Sequence, residues 1–93
     1  MDKVRAHVKV EGRVQGVCFR SYTKKVAEDN NVTGWVGNMP DGSVEMVLEG
    51  EKKDVKKVID WAYEGPSYAK VTNVVVNWEG YRGEFNGFKV RYW

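Results

Sequence analysis

Cysteine, histidine and proline are nearly missing from this sequence: one, one and two in 93 residues. A single thiol, Cys18, permits neither an intramolecular disulfide nor a thiolate metal cluster. His7 has no second histidine or thiol nearby in sequence with which to share a metal, so it is expected to be a surface residue and the chain to need no metal or cofactor. No apolar run approaches the roughly 18 residues of a membrane-spanning helix. The opening "MDKVRAHVKV" alternates polar and apolar residues where a secretory leader would be continuously hydrophobic, so a cytoplasmic address is expected. Charge of one sign is lacking too. Fifteen Lys and Arg against thirteen Asp and Glu leave +2, short of the basic footprint of a dedicated nucleic-acid binder.

What is present is a core-forming composition, 42% hydrophobic and 30% charged, in a length suited to one domain spanning 1–93. Val4, Ala6, Val8 and Val10 alternate with polar residues, which predicts a half-buried strand. Phe19, Tyr22, Thr23, Val26 and Ala27 recur at helical spacing, and the helix is expected to fail at Asn30 and Asn31. "VTGWVGN" predicts a second strand and Pro40-Asp41-Gly42 a tight turn, in which Pro presets φ and Gly accepts a positive φ. Val44, Met46 and Leu48 return as the third strand. Val55, Val58, Ile59, Ala62 and Tyr63 form a second helical stripe, stopped by Gly65-Pro66. Lys70–Trp78 predicts a fourth strand, and the alternation of Phe88, Val90 and Tyr92 against Lys89, Arg91 and Trp93 a short last one.

The order is β-α-β-β-α-β with a strand appended. Each helix can bury its stripe only against one face of a sheet. The predicted fold is therefore a two-layer α+β sandwich of the ferredoxin-like kind, an antiparallel sheet with both helices on one face.

Between the first strand and first helix lies "GRVQGVCFR", Gly12–Arg20, which carries two glycines, no acid and a terminal arginine. Backbone N–H groups in such a loop, leading into a helix N-terminus, suit an anion. Arg20 stands where the helix dipole favours Asp or Glu. Either an anion completes the site or the guanidinium extends into solvent; charge alone does not separate these. Asn38, before the Pro-Asp-Gly turn, is in isolation ordinary turn chemistry.

Taken together, "GRVQGVCFR" and "GWVGNMPDGSVE" resemble the paired signature of the acylphosphatase family, and the similarity extends over nearly the whole chain. The resemblance implies a hydrolase acting on small-molecule acyl phosphates and releasing orthophosphate. It implies that phosphate lies in the first loop, bound by Arg20, and that Asn38 holds the attacking water. The amides of Gly16, Val17, Cys18, Phe19 and Arg20 are the expected phosphate donors. Cys18 departs from the glycine of many members. A cysteine-phosphatase mechanism does not fit, because the sixth residue after Cys18 is Lys24 where that loop needs Arg. No Gly-x-x-x-x-Gly-Lys-Ser/Thr run exists for a nucleotide.

Two other classes remain to be set beside the enzyme. Trp35, Trp78, Tyr81, Phe88, Tyr92 and Trp93 raise single-stranded RNA binding on an open sheet, but the strand motif is incomplete and cross-strand packing is the simpler expectation. A noncatalytic anion- or ligand-sensing module of the same fold is the second. Arg20 together with Asn38 favours the enzyme, since a sensor has no use for a water-positioning amide. The chain is expected to be a monomer that binds neither nucleic acid nor membrane.

Overall fold

The alternating run that predicts the first strand becomes β1, Lys3–Arg13, in a computed structural model describing residues 2–93. It is followed by α1 (Phe19–Asp29), β2 (Thr33–Asn38), β3 (Val44–Glu51), α2 (Lys52–Ala62), β4 (Lys70–Glu79) and β5 (Phe88–Arg91). The strands lie in the order β4-β1-β3-β2-β5, forming one sheet.

Period-two alternation sorts the side chains onto two faces. Ala6, Val8 and Val10 of β1 and Val44, Met46 and Leu48 of β3 are fully buried on one face, with Val36 of β2 beside them. Both helices cover that face. Phe19, Thr23 and Ala27 of α1 and Val55, Val58, Ile59 and Ala62 of α2 close the core. Burying each large aliphatic or aromatic side chain here stabilises the fold by roughly 1.5–3 kcal/mol. Tyr22 and Tyr63, expected in the helical stripes, are about half exposed. Tyr63 lies past the last turn of α2, as its C-cap, and Tyr22 flanks the buried row.

The sheet is mixed, which corrects the antiparallel expectation: β5 runs parallel to β2, with Val36 opposite Val90. Connectivity explains it. The β4–β1, β1–β3 and β3–β2 pairs are all antiparallel, so β4 finishes at the same end of the sheet as β2 starts. The chain then crosses to the far side of the sheet and must run back in the direction of β2.

The last strand also stops at Arg91, short of the expected Trp93. Trp93 has a φ of 59° and turns away from the ladder. Cross-strand packing holds for Phe88, which is buried, and for Trp35, whose ring meets Trp93 edge-on at 5.4 Å. It fails for Trp78 and Tyr81, which stay exposed.

Candidate active site

Strand directions bring the end of β1, the start of α1, the end of β2 and the end of β5 to one end of the sandwich. The β1–α1 loop is pinned there by Val14, Val17 and Phe19, all buried, while Gly16 and Cys18 face outward. Two left-handed residues curl it: Gly16 at φ 74° and Cys18, the N-cap of α1, at φ 65°, ψ 23°. At Gly16 this is inexpensive; a non-glycine residue there is strained by roughly 1–2 kcal/mol. Among the described residues, the amides of Gly16, Val17, Cys18, Phe19 and Arg20 donate to no protein acceptor; the first helical bond is Tyr22 N–H to Cys18 O. The first turn of α1 has no acid to satisfy its positive end.

Asn38 follows from the alternation along β2. Val36 points into the core, so Asn38, two residues on, points to the same face just beyond the apolar layer. Its side-chain oxygen Oδ1 is buried and accepts no hydrogen bond from the protein. An unsatisfied buried acceptor costs about 1–3 kcal/mol. Loop, strand end and β5 enclose a cavity of about 370 Å³. Gly16, Cys18, Phe19, Arg20 and Asn38 line it together, with Val90 and Tyr92 opposite. Val17 does not line it, because its side chain is buried in the core; only its backbone belongs to the loop.

Arg20 makes no ion pair or side-chain hydrogen bond among the described residues. Its guanidinium carbon instead lies 4.8 Å from the centre of the Tyr92 ring.

Three residues that matter to this geometry carry no sequence signal as site residues. Gln15 donates from Nε2 to the carbonyls of Met39 (2.8 Å) and Ser43 (2.9 Å), tying the β1–α1 loop to the β2–β3 turn. Tyr92 and Trp93 read as continuing a strand. The turn itself is held by Asp41, which accepts from Ser43 N–H and Oγ and from Lys9 Nζ. The Lys9 ammonium, then the Ser43 donors, hold the Asp41 carboxyl well below the usual carboxylate range. His7, expected as a lone surface residue, is partly buried and shares a 2.9 Å hydrogen bond with Glu45.

The sheet's other face has a larger hollow, about 510 Å³, lined by Arg5, Glu79 and Glu84 among others. Those charges are engaged with one another, whereas the donors in the smaller cavity face no acceptor.

A two-layer sandwich with unpaired backbone amides and one guanidinium gathered at one end defines an α+β domain of the ferredoxin-like kind. Comparison with known proteins makes the class particular. The acylphosphatase family model matches residues 6–90. An acylphosphatase of Pelotomaculum thermopropionicum is 50% identical over 92 residues, covering 99% of this chain and all of that one. The solved acylphosphatase of Coxiella burnetii superposes with a TM-score of 0.91 at 39% identity, over 97% of this chain and 94% of the other. That of Bacillus subtilis gives 0.92 at 30%, over 96% and 99%. The chain belongs to the acylphosphatase family, and acyl phosphate hydrolysis is its activity.

Proposed function

We propose that the cavity between the β1–α1 loop and Asn38 is where a small-molecule acyl phosphate is hydrolysed, with Arg20 and Asn38 as the catalytic residues. The amides of Gly16, Val17, Cys18, Phe19 and Arg20 take the phosphoryl oxygens, and the Arg20 guanidinium adds two parallel donors. Phosphoryl transfer through a loose transition state asks mainly for positioning and for stabilisation of charge on the equatorial oxygens. Amides fixed by a folded loop provide this without reorganising.

Asn38 Oδ1 accepts a hydrogen bond from the attacking water and aims its lone pair at phosphorus. The new P–O bond forms as the bond from phosphorus to the acyl oxygen breaks. That electron pair leaves on the carboxylate, and the water proton passes to a phosphate oxygen, because a neutral amide is a poor base. A carboxylate is a good leaving group, so the step needs no general acid.

One observation carries the reading: Asn38, whose buried side-chain oxygen Oδ1 has no protein donor, lines the same cavity as Arg20. A noncatalytic anion module would have no reason to sustain that cost. The donor set is one of amides and a guanidinium, which favours anions and repels cations, so the reaction is proposed to be metal-independent. The reading takes the enzyme to work as a monomer, since every group invoked comes from one chain, and takes the cytoplasm as its place.

The test is hydrolysis of benzoyl phosphate in the presence of EDTA. Turnover should persist, and orthophosphate should inhibit competitively. Activity abolished by the chelator and restored by Mg²⁺ or Zn²⁺, or purely noncompetitive inhibition by phosphate, contradicts it.

A further inference from the structure

We propose that Tyr92 and Trp93 are positioning residues, consecutive in sequence, that set the Arg20 guanidinium and the Asn38 backbone in place relative to each other. The inference rests on the site reading above, and goes beyond it by assigning a role to the residues that follow β5.

Their contacts place the two rings on opposite sides of the sheet. Tyr92 continues the face of Phe88 and Val90, which is the face of α1, and its ring comes to lie against Arg20 at 4.8 Å. Trp93 goes to the other face. Its indole N–H donates to the Asn38 carbonyl, and its ring lies over Gly37. A Cβ at Gly37 would stand 2.9 Å from that ring, so the glycine makes the close approach possible. Trp93 is steadied in turn by Trp35, edge-on at 5.4 Å, and by the Arg91 guanidinium at 5.4 Å.

The contact with Arg20 is of a particular kind. An arginine meant to grip phosphate must be held, since its flexible stem otherwise loses rotamer freedom on binding. A carboxylate would hold it by the same N–H edge that the phosphate needs. An aromatic ring holds it by the face and leaves the in-plane donors free. Arg20 has such a ring and no carboxylate partner among the described residues. On the other side of β2, the Trp93 hydrogen bond is made to the backbone of Asn38, so it orients that residue without occupying its side-chain oxygen.

The experiment measures orthophosphate affinity by calorimetry, kcat and KM with benzoyl phosphate, and Tm, for wild type, Tyr92→Phe, Tyr92→Leu, Trp93→Phe and Arg20→Gln. Tyr92→Phe keeps the ring and should bind phosphate within about twofold of wild type, whereas Tyr92→Leu should bind it roughly two- to fivefold more weakly. Tm should be nearly unchanged in both, because Tyr92 is 78% exposed. Trp93→Phe removes the indole donor and should lower kcat roughly two- to tenfold with phosphate affinity retained. If Tyr92→Leu misfolds, Tyr92→Met makes the same comparison of ring against chain. Equal phosphate affinity in Tyr92→Phe and Tyr92→Leu, with Arg20→Gln losing phosphate, overturns the positioning role alone. An Arg20→Gln protein that binds phosphate like wild type overturns the site reading and this inference with it.

Discussion

Arg5 and Glu49 face each other across β1 and β3, with Nη1 and Oε2 3.3 Å apart, on the sheet face that carries no helix. Both side chains are almost fully buried, and what buries them is the β4–β5 crossing. Glu49 accepts the backbone N–H groups of Arg82 (2.8 Å), Gly83 (3.3 Å) and Glu84 (3.3 Å). Arg5 reaches Glu79 (3.0 Å), the last residue of β4, and Glu84 (2.6 Å), midway along the crossing. The pair thus pins the segment that delivers β5, and with it Tyr92, to the far end of the sheet.

This anchor should be sensitive to acid. Burial pushes the Glu49 carboxyl up, but the Arg82 amide, the Arg5 guanidinium and the Glu84 and Gly83 amides together bring it below the ordinary glutamate value. A carboxyl more acidic when folded binds its proton later than the unfolded chain does. Its stabilisation is full above the unfolded glutamate pKa of about 4.3 and is lost as pH falls through the lower folded value. Glu49→Gln should therefore cost about 3 kcal/mol at pH 7, from urea unfolding, and less at pH 3. A gap that fails to narrow in acid would count against Glu49 as the anchor.

Cys18 occupies a left-handed conformation that a side chain disfavours, and it is exposed. Cys18→Gly should raise stability by about 1 kcal/mol, since glycine meets that φ without strain and little packing is lost. Turnover should stay within about tenfold, because the amide remains. A trapped phosphocysteine in the wild type, with activity abolished in the variant, would instead make the thiol a nucleophile.

Gln15 links the β1–α1 loop and the β2–β3 turn through one amide nitrogen. Gln15→Ala removes both bonds and should cost on the order of 1–2 kcal/mol of stability. It should also lower kcat for acyl phosphate, because Arg20 and Asn38 sit on the two segments it joins. Unchanged kcat in a protein measurably less stable would make Gln15 purely structural.

Arg20 and Asn38 should differ in kinetic signature. Arg20 would touch phosphate in ground and transition states alike, so Arg20→Gln should weaken both phosphate binding and turnover. Lysine should rescue only partly, being a point charge without the planar fork. Asn38→Ala should leave phosphate affinity nearly unchanged and lower kcat on the order of 10²-fold or more. It should be no less stable than wild type, since the buried unsatisfied oxygen is removed. Loss of phosphate binding with turnover intact at saturation would take the water away from Asn38.

The sequence alone determined what depends on neighbours along the chain. Val4–Val10 alternates and so makes a strand with one buried face; Phe19, Thr23 and Ala27 recur at helical spacing and so share a side. Pro40-Asp41-Gly42 turns because of its own backbone preferences, and the loop from Gly12 to Arg20 shows its glycines and its arginine to any reader. Arg20 and Asn38 were legible as candidates through the family resemblance of their two motifs, each continuous along the chain. What the tertiary structure decided depends on partners far apart in sequence. The direction of β5 follows from where β4 ends. The Arg5–Glu49 pair spans 44 residues, and nothing in "VRAHV" or "VLEGE" announces that their charges will be buried together. Gln15 gains its role only when the turn at Met39 and Ser43 arrives beside it, and Tyr92 its contact with Arg20 only once the crossing segment has carried it across the sheet. Periodicity records which face a residue takes; only packing decides what that face meets.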